Sequence, residues 1–214
     1  MRDLLNPEKA LIFRIIHRDN LPWILRNGLH CRNSTRIDPG FVSIGNPDLI
    51  DKRTRHPVRV PPGGTLSDYV PFYFTPLSPM LLNIHSGYNG IRQRSNEEIL
   101  VLISSLRTLE ANNIPFLFTD RHAFLTAAQP YSELADLDKI DWCILQNRDF
   151  KRNVEDLGKM ERYMAEALIH ETMPISGLLG VACYNDAVLG SLNDMIKSAG
   201  VKLNAARRSG WYFQ

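Results

Sequence analysis

The sequence predicts an α+β fold, and three observations carry that reading. Short apolar runs rich in β-branched residues outnumber long amphipathic stretches. Irregular segments rich in Asn, Asp, Gly, Pro and Arg separate those runs. No strand–helix alternation recurs with the regularity that a parallel βαβ sheet needs.

In chain order, residues Ala10 to His17 form an apolar run with β-branched side chains and predict a buried first strand. Asp19 is expected to cap a helix that runs through Asn27, with Pro22 near its start and Gly28 just past its end. From His30 to Ser67 no periodicity is sustained; so long a loop in a compact domain usually has a task. Tyr69 to Met80 packs four aromatics and three prolines into twelve positions. Proline cannot donate to a ladder, so the segment predicts a short strand that breaks into a shaped loop. Alternation puts Phe72 and Phe74 on one face and Tyr73 on the other.

Buried strands are expected at Glu98 to Ser104, Ile114 to Thr119 and Gly177 to Tyr184, and a last strand at Val201 to Arg208. Asp120 is expected to cap a helix starting near His122, and Asn185 one that runs to Ser198 and closes at Gly200. Leu157, Met160, Met164 and Leu168 repeat at helical spacing and predict a helix around Glu166.

The 214 residues are enough for one domain, read as 1–214, with a sizeable core. No apolar run reaches the roughly 18 residues that a membrane span needs, and the first residues lack a signal-peptide core. A cytoplasmic protein is the default expectation. Cys31, Cys143 and Cys183 are too scattered for a zinc site and are expected to be free, buried thiols. No metal site is expected. There is no G-x-G-x-x-G and no P-loop, so a dinucleotide would not be held in the Rossmann manner.

Net charge is only +2, so polyanion binding must come from local groups. Three such groups exist: Lys52, Arg53, Arg55, His56 and Arg59; Arg148, Lys151 and Arg152; and Lys202, Arg207 and Arg208. They are interleaved with aromatics, as a groove for single-stranded nucleic acid requires. Three further residues sit where core packing would not put them: His17 at a strand end, Tyr73 between two phenylalanines, and Glu166 among alanines, Leu168 and Ile169.

Ordered wording across about 200 residues resembles the DarT-type DNA ADP-ribosyltransferases. It includes Ile-Ile-His-Arg-Asp-Asn-Leu-Pro-Trp-Ile-Leu (15–25), Asp51-Lys52-Arg53, Asp-Tyr-Val-Pro-Phe-Tyr-Phe (68–74), Ser78-Pro79-Met80, Phe-Thr-Asp-Arg-His-Ala (118–123), Arg-Tyr-Met-Ala-Glu-Ala-Leu (162–168) and Gly210-Trp211-Tyr212-Phe213. The resemblance implies an ADP-ribosyltransferase-like split antiparallel β-core with flanking helices and a cleft for NAD as co-substrate. It implies a toxin of a toxin–antitoxin system that modifies thymidine in single-stranded DNA. The partner it implies is an antitoxin with ADP-ribosylglycohydrolase (macrodomain) activity.

On that resemblance Glu166 is the catalytic glutamate and Arg53 the catalytic loop arginine, with Arg55 close enough to exchange with it. His17, Asn20, Tyr73 and Arg55 fall to NAD, and His122, Arg148, Lys151, Arg152 and Arg208 to DNA. Glu166 then belongs near a strand start, against the helical spacing, and the resemblance is preferred. Relatives carry Gln-x-Glu where this chain has Met164. The competing readings are transfer to guanine, RNA or protein, and a nucleic-acid-binding module without chemistry.

Overall fold

The computed structural model describes residues 3–214. In chain order its elements are β1 (Leu11–His17), α1 (Leu21–Asn27), β2 (Leu29–His30), α2 (Pro47–Arg53), β3 (Tyr69–Tyr73), α3 (Pro79–Ser86), β4 (Ile99–Ser105) and α4 (Leu106–Ala111). They continue with β5 (Phe116–Thr119), β6 (Pro130–Tyr131), α5 (Trp142–Asn147), α6 (Lys159–Tyr163), β7 (Glu166–His170), β8 (Thr172–Met173), β9 (Gly180–Cys183), α7 (Asp186–Ala199) and β10 (Asn204–Arg207).

Eight strands form one sheet in the order β10-β9-β4-β1-β3-β7-β5-β6, antiparallel except for the parallel pair β9–β10. β2 and β8 make a separate two-stranded ribbon. The middle of the sheet is split. β1 pairs with β4 along its whole length, Leu11 opposite Ser105 to His17 opposite Ile99. Towards β3 it keeps a single register pair, Phe13 opposite Tyr73.

Sequence explains the split. β3 pairs fully with β7, Tyr69 opposite His170 to Tyr73 opposite Glu166. At its centre stands Pro71, which has no N–H to give a neighbouring strand. Its carbonyl is taken by a side chain of β1 instead of a strand N–H: Arg14 Nη1 donates to Pro71 O at 2.7 Å. The two half-sheets are thus joined by a guanidinium where a ladder would otherwise run. The core flanks this seam, with Phe13, Phe72, Phe74, Val101, Phe118 and Ala167 all buried.

Several sequence expectations are corrected. Asp19 does not cap α1; its backbone N–H donates to His17 Nδ1 and the chain makes a 3₁₀ turn, Arg18–Asn20, before α1 begins. Asp120 caps no helix; its carboxylate takes Arg121 and the Gln129 N–H and closes the 120–129 loop instead. The 30–67 segment is not structureless, because Asn46 accepts from Leu49 N–H and starts α2. Tyr69–Met80 does break after the strand, but Ser78 then caps a helix, α3. Glu98 lies in a 3₁₀ turn ahead of β4, β9 starts at Gly180, and β10 spans only Asn204–Arg207. The expected α7 is present, with Asn185 accepting from Val188 N–H and Gly200 in the left-handed region at φ 67°. All three cysteines are free, but Cys143 is exposed.

The conflict at Glu166 resolves by division. Of the helically spaced residues only Met160 lies in a helix, the five-residue α6, which ends at Tyr163; Leu157 precedes it, Met164 turns the chain, and Leu168 falls in β7, which starts at Glu166.

Candidate active site

Glu166 is 1% exposed, and nearly every contact it makes is supplied by a different element. β7 places it opposite Tyr73 on β3. Its backbone N–H donates to Thr119 Oγ1 at 3.3 Å, and that hydroxyl donates to Arg121 O at 2.6 Å, which ties the strand start to the turn after β5. Ala123 N–H of the same turn donates to Glu166 Oε1 at 3.0 Å. Across the cleft, the last residue of α2 delivers its guanidinium: Arg53 Nη1 lies 3.0 Å from Oε2 and 3.3 Å from Oε1.

Burial pushes the Glu166 carboxyl upward. Arg53 opposes it, with His122 and the Ala123 N–H, and the balance holds the group below the ordinary glutamate range. His122 Nδ1 lies 3.7 Å from Oε1, but it accepts the Phe124 N–H, so the ring proton of the neutral form sits on Nε2. Arg53 is therefore the main reason that Glu166 is ionised, with His122 and the Ala123 N–H adding to it. Tyr73 titrates well above its usual value because of burial and the neighbouring carboxylate, so it faces the cleft as a neutral phenol.

Arg55 differs from Arg53 in kind. Its side chain is 80% exposed and pairs with Asp51 at 3.0 Å one turn back. Only Arg53 of the two reaches Glu166.

His17 and Asn20 stand at the end of β1. Buried His17 accepts from Asp19 N–H through Nδ1, and its Nε2 lies 3.5 Å from Glu98 Oε1. Arg94 donates to the same oxygen at 2.8 Å. Burial would raise the Glu98 carboxyl, but Arg94, the Ser95 N–H and His17 bring it down to about 2. Asn20 is clamped to Val42, donating to its carbonyl at 2.9 Å and accepting its N–H at 2.8 Å. It therefore ties the long 30–67 segment to the end of β1. Asn20→Ala is expected to cost about 2 kcal/mol, since it removes two hydrogen bonds and leaves the part-buried Val42 N–H and C=O without them. It should also raise KM for NAD; chemical denaturation and steady-state kinetics check both.

Of the residues expected at DNA, His122 lies beside Glu166. Arg148 follows α5 in the left-handed region at φ 54°. Lys151 and Arg152 are exposed just beyond it. Phe150, between them, packs on Phe213 of the C-terminal segment, with ring centroids 6.1 Å apart. That contact brings the second basic group to the tail where Arg208 lies 6.0 Å from the Trp211 ring.

Sequence reasoning missed the Ala123 N–H, Thr119, Arg94, Glu98 and above all Arg14. Burial and the nearby Arg53 lower the Arg14 guanidinium to about 10, against the pull of Tyr73 and Glu166. The signal was present: a lone cation in the strand Leu-Ile-Phe-Arg-Ile-Ile-His. Among the described residues, two buried side-chain nitrogens lack a partner, Arg14 Nε and Arg53 Nη2. Unsatisfied buried donors are costly, and two guanidinium donors beside an ionised Glu166 fit an anionic dinucleotide with ribose hydroxyls. Among the same residues no group of three His, Cys, Asp or Glu side chains could hold a metal ion.

A carboxylate kept ionised in a nearly dry cleft is suited to stabilising a cation that develops on a sugar. That requirement, and the split sheet around it, define the class as an NAD-dependent ADP-ribosyltransferase. The chain belongs to the DarT family, whose model, described as ssDNA thymidine ADP-ribosyltransferase, matches residues 13–213. It is 56% identical over 209 residues to a DNA ADP-ribosyl transferase of Escherichia coli O127:H6 (strain E2348/69 / EPEC), across 98% of this chain and 96% of that protein. It is 35% identical over 210 residues to a DNA ADP-ribosyl transferase of Thermus sp. (strain 2.9), across 97% and 98%. Among solved structures, Thermus sp. 2.9 DarT in complex with ADP-ribosylated ssDNA matches with a TM-score of 0.88 at 33% identity, covering 97% of this chain and 98% of that one. The complex of Thermus sp. 2.9 DarT with NAD+ matches with a TM-score of 0.85, also at 33% identity, covering 97% and 99%.

Proposed function

We propose that this chain, as one unit over 1–214, transfers ADP-ribose from NAD to thymidine bases in single-stranded DNA and releases nicotinamide. The observation that carries the reading is the buried Glu166 carboxylate, held by Arg53 at 3.0 Å and by the Ala123 N–H at 3.0 Å. In this reading Glu166 hydrogen-bonds a hydroxyl of the nicotinamide ribose and stabilises the positive charge that grows as the glycosidic bond lengthens. Nicotinamide leaves as a neutral molecule, so the site needs no strong acid. Tyr73 and His17 flank the nicotinamide end, and Asn20 holds the segment that covers it.

The bond from the ribose carbon to nicotinamide breaks and one from the same carbon to a thymine ring nitrogen forms, while the proton on that nitrogen passes to solvent. Arg53 stays cationic at all ordinary pH. Its unpartnered Nη2 is a donor for the negative charge that develops on the base. Met164 offers no comparable hydrogen bond two residues before Glu166, so recognition of the base falls to other groups. The target base must be unstacked to reach the cleft, which favours single strands. His122, Arg148, Lys151, Arg152 and Arg208 supply charge along the path.

Covalent damage to a cell's own DNA calls for reversal, which supports a toxin with a cognate antitoxin of ADP-ribosylglycohydrolase type. No helix among the described residues is long and apolar enough to cross a membrane. The proposed substrates, NAD and single-stranded DNA, support a cytoplasmic reaction.

NAD labelled in its adenylate half, offered with single-stranded DNA, duplex DNA, RNA and carrier protein, tests the proposal. Label is expected on single-stranded DNA. Label confined to protein or RNA would overturn the acceptor, and no nicotinamide release with any acceptor would leave only a binding module.

A further inference from the structure

An open groove of about 420 Å³ lies beside the cleft, lined by Asp51, Lys52, Arg55, His56, Pro57 and Phe124. Its two walls are continuous with two of the elements that hold Glu166. One wall follows α2, whose last residue is Arg53. The other follows the turn in which the Ala123 N–H bonds the carboxylate, with Phe124 next in the chain.

The groove has an aromatic surface and a positive field. The rings of His56 and Phe124 pack with centroids 5.0 Å apart at 46°. Phe124 is anchored from behind by a separate apolar cluster of Leu66, Tyr69, Leu117, Ala123 and Leu168. His56 is fixed through its backbone, its N–H on Arg53 O and its carbonyl taking the Leu66 N–H. Burial, Arg53, Arg59 and His122 all lower the His56 imidazole, so it is neutral at pH 7 and suited to stacking. Lys52 and Arg55 stand exposed at the rim; the one acidic side chain in the lining, Asp51, is already paired with Arg55.

We infer that this groove is a subsite for the nucleotide next to the target thymidine, with its base against Phe124 and His56 and its phosphate at Lys52 and Arg55. The inference rests on the transfer reaction proposed above. The combination is the one that sequence-tolerant single-strand binding uses: a π-face for any base, and cations for the backbone. The shared walls give the site a consequence. A nucleotide seated there presses on the same two segments that position Arg53 and Ala123 against Glu166.

The test is a cycle between protein and substrate. Phe124→Ala, Phe124→Trp and wild type are assayed with single-thymidine oligonucleotides carrying either a normal base or an abasic spacer next to the thymidine, on each side in turn. Phe124→Ala is expected to lower kcat/KM for the intact oligonucleotide about tenfold, with Phe124→Trp near wild type and nicotinamide release from NAD alone unchanged. On one side the abasic spacer should cost wild type a similar factor and Phe124→Ala almost nothing more. Lys52→Ala should reduce the salt slope of binding by about 0.7. Equal losses from the spacer in wild type and Phe124→Ala, or a kcat/KM of Phe124→Ala equal to wild type on the intact oligonucleotide, would overturn the subsite. A wild type that labels no oligonucleotide would instead overturn the transfer reaction itself.

Discussion

Glu166→Ala is expected to slow transfer by at least about a hundredfold with little change in NAD binding. Loss of one preorganised electrostatic contact at a developing charge costs roughly 2.7–4 kcal/mol where it has been measured best. Glu166 has the features that make such a contact strong. It is nearly dry, its orientation is fixed by Arg53 and the Ala123 N–H, and it is ionised against the push of burial. Glu166→Gln separates charge from shape, because the amide keeps the volume and loses the charge. It should fall almost as far as alanine. Initial rates of nicotinamide release at saturating NAD and oligonucleotide check both variants.

The second large effect concerns Arg53→Met. In the wild type the folded Glu166 carboxyl titrates below its unfolded value. This group therefore adds stability above the ordinary carboxylate range, and the contribution is lost as pH falls through the lowered folded value. Without Arg53 burial is no longer outweighed, and the folded carboxyl should titrate above its unfolded value. The sign then reverses: the contribution is present below the unfolded value and is lost as pH rises through the raised one.

Three results follow from this for Arg53→Met. Activity drops more than about tenfold, the acid limb of the residual pH–rate profile moves to higher pH, and stability at neutral pH falls by roughly 3 kcal/mol, as for a broken buried ion pair. Arg53→Lys keeps a charge and should hold the acid limb near its wild-type place while losing the two-oxygen geometry. A basic limb in wild type that shifts in Arg53→Lys would instead assign Arg53 a direct part in proton transfer. Urea titrations at pH 4 and pH 7, with pH–rate profiles, check the set.

Much of the fold was legible because apolar runs report burial directly. β1, β4, β5 and α7 lie close to where periodicity and caps put them. The failures have a common cause: polar side chains found tertiary partners instead of local ones. Asp120 could cap a helix in isolation, but Arg121 and the Gln129 N–H claimed it. Asp19 lost its cap to the His17 ring. Around Glu166 the apolar spacing spanned a short helix and a strand in sequence, and periodicity alone cannot mark the junction.

In the site, Glu166 stood out as a carboxylate among apolar residues and Tyr73 by alternation against its phenylalanine neighbours, while Arg53 was singled out through the resemblance. The groups that tune them were out of reach. Ala123 acts through its backbone, which carries no residue-type signal, and Glu98 and Arg94 act on His17 from 81 and 77 residues away. Arg14 alone left a trace, as a charge in an apolar strand whose reason appears only beside Pro71.

Transfer to thymidine at the Glu166 cleft can be read directly from the product. Its most direct measurement is the mass of a single-stranded oligonucleotide with one thymidine after incubation with NAD, beside the same oligonucleotide with that thymidine replaced by cytidine. One ADP-ribose is expected on the first, none on the second, and none on either with Glu166→Gln. ADP-ribose on the thymine-free oligonucleotide, or undiminished modification by Glu166→Gln, would contradict transfer to thymidine at this cleft.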